Sequence, residues 1–90
     1  MLVCLMARDK ASAVGVRAEN RPAHVEYLKS TGCVQLAGPL LDAEGNMRGS
    51  MIVLDVADMA AAEDWAENDP YAKADLFESV TLDEWKKVLG

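Results

Sequence analysis

Two short segments, MLVCLMA at residues 1–7 and SMIVLDV at residues 50–56, are apolar at nearly every position, and this constrains the fold more than any other feature. Both are too short for an ordinary helix and lack the three- and four-residue spacing of an amphipathic one, so they read as β-strands. Successive side chains of a strand point to opposite faces. Leu2, Cys4 and Met6 therefore share one face of the first segment and Val3, Leu5 and Ala7 the other, while Met51 and Val53 oppose Ile52, Leu54 and Val56 in the second. A sheet built on such strands needs an apolar cover on both sides.

The rest of the chain supplies one of those covers. From Lys10 to about Thr31, Val14, Ala18, Pro22, Val25 and Leu28 recur at helical spacing. Pro22 divides this stretch into a helix near 10–18 and another near 21–31, with Asn20 as a cap and Gly32 as the terminator. CVQLAGPLL (33–41) is a second strand whose Gly38-Pro39 suits an edge or a bulge. The turn-rich DAEGNMRG then makes a hairpin into the SMIVLDV strand. Asp58 caps a helix with Met59, Ala62, Trp65 and Ala66 on its apolar side, which Asp69-Pro70 ends near Asn68. DPYAKAD adds helical turns, LFESVTL (76–82) is the fourth strand, and DEWKKVLG is a tail with Trp85 and Leu89 available for docking.

The order is β-α-β-β-α-β, an α+β ferredoxin-like fold with a four-stranded antiparallel sheet and helices on one face, in a single domain spanning 1–90. The other face still needs covering. A second copy stacked sheet to sheet does this, giving a homodimeric α/β barrel. Ninety residues favour such a partner, because a chain of this size buries only ~60% of the surface its unfolded form exposes.

Charge narrows the partners. Fifteen acidic against nine basic residues give a net charge of −6, which repels nucleic acid and anionic lipid and leaves small molecules and proteins. Cys4 and Cys33 lie in apolar segments and form no CxxC or Cys/His cluster, so reduced thiols without a mutual disulfide are expected. The N-terminal apolar run is too short for a membrane span or a signal h-region, and a cytoplasmic protein is expected.

Few residues can carry chemistry. His24, within RPAHVEYL, is the only histidine. One position from Val25 and four from Leu28, it falls at the border of the expected buried stripe, where a boundary histidine bonding a carbonyl or water is the plain alternative to a proton carrier. Asp69 before Pro70 is a helix cap by position. A capping aspartate can still offer its second oxygen to a histidine, fixing its tautomer while the other ring nitrogen works on a substrate proton. Arg21 can bind an anion or stand solvated at a helix end. Ser50 can donate into a cleft or serve a turn, and Tyr27 and Tyr71 can line a pocket for a planar ligand or pack. A lone histidine without HExxH makes no zinc site, and GxSxG, GxGxxG and GxxxxGK[ST] are all missing.

RPAHVEYL, LAGPL (36–40), GSMIVLD (49–55) and WAENDPYAKADLFESV (65–80), in that order, resemble the YCII-like family over essentially the whole chain. The resemblance implies a dimeric ferredoxin-like barrel with a cleft in each subunit and a dyad of His24 and Asp69. One member looks like a dehydrochlorinase acting on a chlorinated hydroxyhydroquinone, a reaction that needs an acid–base group and no cofactor. The compact DAEGNMRG connection departs from longer members, which puts the pocket walls and the substrate in question. The function expected is a small cofactor-independent lyase or isomerase using His24 and Asp69, with Arg21, Ser50 and Tyr71 as binding groups and no metal. The rival expectations are a non-catalytic module that binds or senses a small ligand in the same cleft, and a structural domain whose pocket is unused.

Overall fold

Val3, Leu5 and Ala7 sink into the interior while Leu2, Cys4 and Met6 stay half-buried, so strand β1 (Leu2–Asp9) separates the two sides of the molecule. The computed structural model describes residues 1–90; after β1 come helix α1 (Val14–Ser30), strands β2 (Val34–Leu41) and β3 (Met47–Asp55), helices α2 (Met59–Asn68) and α3 (Pro70–Lys73), and strand β4 (Phe77–Glu84). The strands are antiparallel in the order β2-β3-β1-β4. This is an α+β ferredoxin-like fold. No helix is long and apolar enough to cross a membrane.

The core forms where the inward residues of the two central strands meet the helices. Val3, Leu5, Ala7, Ile52 and Leu54 pack against Ala62 and Trp65 of α2. Each fully buried leucine or isoleucine contributes roughly 1.5–3 kcal/mol. The register puts Cys4 opposite Val53 and Met6 opposite Met51, with Leu36 and Gly38 of β2 continuing the row. That outer face carries exposed Leu36, half-buried Leu2, Cys4, Met6, Leu40 and Met51, and Val53, which is buried. Cys4 and Cys33 are free thiols.

Local chemistry sets most of the element ends. Asp58 Oδ1 accepts from the Ala61 N–H at 2.8 Å and starts α2. Gly32, at φ +71°, follows the end of α1 in a conformation that suits glycine. Asp42 Oδ1 accepts from the backbone N–H groups of Glu44 and Asn46, and Arg48 bonds the other oxygen. The Asn46 amide leads in pulling the Asp42 carboxyl below its usual range; slight burial opposes it, and Arg48 and Glu44 add to it.

Four expectations are corrected. α1 is one helix, with Pro22 inside it. Pro22 faces solvent, where water can satisfy the Ala18 carbonyl that loses its partner, and side chains on both sides of it anchor the helix to the body. The buried stripe of α1 is only partly the apolar one: Val25 and Leu28 are half-buried as expected, but Val14, Ala18 and Pro22 are exposed, and Ala13, Arg17 and His24 face inward. His24, expected at the border, is only 6% exposed. Finally, β3 begins at Met47 and β4 runs to Glu84, so the hairpin turn is tighter and the tail shorter than the pattern suggests. Trp85 still donates its backbone N–H to Leu2 O, whereas Val88 and Leu89 are exposed.

Candidate active site

On the helical side of the sheet, α1 stands over β2 and β3 and leaves a cleft of about 150 Å³. Arg17, Arg21, His24, Val25 and Leu28 of α1 form one wall, Ala37, Gly38 and Pro39 of β2 and Met47, Ser50 and Ile52 of β3 form the floor, and Tyr71 of α3 closes the end. An apolar cavity of about this volume holds a benzene ring, so the space suits a single six-membered ring.

Each polar group is positioned by an element boundary. Asp69 sits between α2 and α3 with extended backbone, and its Oδ1 accepts the Tyr71 N–H at 3.0 Å, a cap that also fixes the carboxylate. The same Oδ1 lies 2.7 Å from His24 Nδ1. The sequence reading gave the second oxygen to histidine; instead one oxygen serves both, and the buried Oδ2 has no partner. Because an ionised carboxylate only accepts, Nδ1 carries the hydrogen, and in the neutral ring Nε2 then holds the lone pair. The His24 ring stacks on Tyr71 at 3.8 Å between centroids and 12° between planes.

A second polar assembly joins the first through Tyr71. Arg17 Nε and Nη2 make a two-pronged pair with Asp9, at 2.7 and 2.9 Å, and Nη2 also donates to Ser50 Oγ at 2.9 Å. The guanidinium lies 4.6 Å from the centre of the Tyr71 ring. Burial opposes the Arg17 charge, but the bonds and charge of Asp9 outweigh it and hold the group more firmly protonated than usual. Burial pushes the Tyr71 phenol up, against the pull of Arg17 and Arg21, so Tyr71 is a hydrogen donor at neutral pH.

His24, Arg21, Ser50 and Tyr71 thus border one cleft, with Asp69 behind His24. Tyr27 is elsewhere. Its hydroxyl donates to the Trp65 carbonyl at 2.8 Å, tying α1 to α2, and burial, followed by the charge of Asp69, pushes the phenol up to about 12. The sequence reading missed Arg17 and Asp9. Arg17, Arg21, His24 and Leu28 are spaced four, three and four, one face of a helix, and Asp9 continues the inward parity of Val3, Leu5 and Ala7. A register shift between Arg8 and Asp9 accompanies the inward turn of that carboxylate. No group of three or more His, Cys, Asp or Glu side chains is arranged to hold a metal ion.

Known proteins share this arrangement of elements. The family model of the YCII-related domain matches residues 1–86. Protein YciI of Escherichia coli O6:H1 is 33% identical, covering 98% of this chain and 99% of that protein. Among solved structures, the 5-chloro-2-hydroxyhydroquinone dehydrochlorinase TftG of Burkholderia phenoliruptrix AC1100, in complex with 2,5-dihydroxybenzoquinone, superposes with a TM-score of 0.89 and 30% identity over 96% of this chain and 94% of that one. PA3566 of Pseudomonas aeruginosa, at 13% identity and a TM-score of 0.60 over 98% and 93%, shares the fold alone.

Proposed function

The chain belongs to the YCII-related family, and from that premise and the shape of the cleft we propose that it is a small acid–base enzyme, a lyase or isomerase of one-ring molecules. His24 Nε2 takes a proton from the ligand. Asp69 holds the ring by Nδ1 and stabilises the imidazolium as it forms. In an elimination of HCl from the keto tautomer of the ring, the proton removed comes from a hydroxyl or an α-carbon, its electron pair becomes a new C=O or C=C π bond, the C–Cl pair leaves as chloride from the saturated carbon, and the imidazolium later returns its proton to water. No step calls for a cofactor or a metal. Arg21, Ser50 and Tyr71 bind the ligand's polar edge.

The observation that carries this reading is the 2.7 Å pairing of the only histidine with a buried, already capped carboxylate at the wall of a ring-sized cleft. Similarity to a dehydrochlorinase supports the choice of lyase. We propose further that a second copy covers the outer sheet face, where Leu36 is 51% exposed beside half-buried Cys4, Met6 and Met51.

Chloride release from 5-chloro-2-hydroxyhydroquinone and related halogenated rings tests the chemistry. The wild-type protein should turn over at least one of them, His24→Ala should abolish turnover with the circular dichroism unchanged, and Asp69→Asn should lower kcat by about 10²-fold or more. Tight binding of 2,5-dihydroxybenzoquinone with no turnover of any such ring would favour a ligand-binding module instead.

A further inference from the structure

We infer that Arg17, Ser50 and Tyr71 form a hydrogen-donor subsite for the oxygen of an enolisable carbonyl substrate, placed so that this oxygen receives negative charge while His24 removes the neighbouring proton. The inference rests on the acid–base reading above and adds to it the substrate class and a place for the developing charge.

Arg17 has five N–H donors, and three are committed, two to Asp9 and one to Ser50. The two on Nη1 make no bond to a carboxylate or carbonyl of the chain, and the Tyr71 hydroxyl is the group near enough to interact with Arg17. They are not sealed away, because the one fully buried side-chain polar atom without a partner is Asp69 Oδ2, and Arg17 borders the cleft. Ser50 Oγ accepts from Arg17, which leaves its own hydrogen to donate. The Tyr71 phenol, at the end of the same cleft, is a third donor. Arg17, Ser50, Tyr71 and His24 all line the same cleft of about 150 Å³, so one small ligand can reach the donors with its oxygen and His24 with its proton.

Asp9 decides what these donors favour. It balances the formal charge of Arg17 and fixes the plane of the guanidinium, so the subsite is an oriented set of dipoles and not a free cation. Such donors act mainly on charge that develops during the reaction. His24 Nε2 takes the proton next to the carbonyl, the C–H pair becomes a C=C bond, and the carbonyl π pair moves onto the oxygen held by the subsite. The imidazolium then returns the proton at another carbon, or a leaving group departs with its pair as the carbonyl re-forms.

The test uses 2,5-dihydroxybenzoquinone, whose acidic enolic hydroxyls make it an enolate mimic, with affinity read by titration and hydrogen bonding read from the visible band of the bound probe. Ser50→Ala and Tyr71→Phe each remove one hydroxyl while keeping its neighbours, and Tyr71→Phe keeps the ring against His24. Each should weaken binding about tenfold or more and move the band toward that of the free anion, a shift that a merely structural role would not produce. Unchanged affinity in both variants, or no binding by the wild type, overturns the subsite. Chloride release separates the two claims. If His24→Ala loses turnover while both donor variants bind normally, the acid–base reading stands and the subsite falls. If the donor variants bind weakly while His24→Ala still turns over, the subsite stands and the base is another group.

Discussion

Arg17 shows how a single residue can matter to both the stability and the chemistry of so small a chain. Its side chain and that of Asp9 are 5% and 3% exposed, a charge pair taken almost wholly from water. Removing one partner of such a pair costs about 3–5 kcal/mol, because the other charge stays buried and alone. Asp9→Ala should therefore lose about that much in urea unfolding, and Asp9→Ala with Arg17→Met should recover part of it. A loss under about 1 kcal/mol would contradict the pair's place in the interior. His24 and Asp69 could be picked out because a lone histidine and an Asp-Pro are rare and chemically pointed. Arg17 and Asp9 carry only the weaker signals of helical spacing and strand parity, which are overridden by the presumption that charged residues face solvent, and only the folded contacts show that these two neutralise each other.

At the level of elements, strand positions were readable because a short apolar run without helical spacing is a local property, and β1 and β3 each carry one. The helices were harder. Pro22 argues locally for a break, yet Arg17 is bonded to Asp9 and Ser50 on one side of it and His24 to Asp69 on the other, and these tertiary bonds hold α1 continuous. The same bonds put a polar stripe inward and leave Val14 and Ala18 outside, which no hydrophobic pattern can foretell. Since Pro22 is exposed and cannot bond the Ala18 carbonyl, Pro22→Ala should restore one helical hydrogen bond. We expect a gain of about 1–3 kcal/mol by denaturant unfolding, reduced by the greater freedom of alanine in the unfolded chain. A loss of stability would mean that the proline sets the angle of α1 over the cleft.

For the molecule as a whole, helices cover one sheet face and the other carries a row of apolar side chains. If a second copy covers that row, light scattering at micromolar concentration should give about twice the chain mass of 9.7 kDa. Leu36→Asp, half-exposed in the single chain, should halve the mass and leave the circular dichroism spectrum intact. A wild-type monomer would contradict the dimer without touching the cleft. The central claim, that the fold holds His24 as a base facing the cleft, is tested most directly by ¹⁵N NMR of the single imidazole at a pH where it is neutral. The account predicts a hydrogen on Nδ1, donated to Asp69, and an unprotonated Nε2. A neutral ring with its hydrogen on Nε2 would contradict it, because the nitrogen offered to the ligand would then have no lone pair to take a proton.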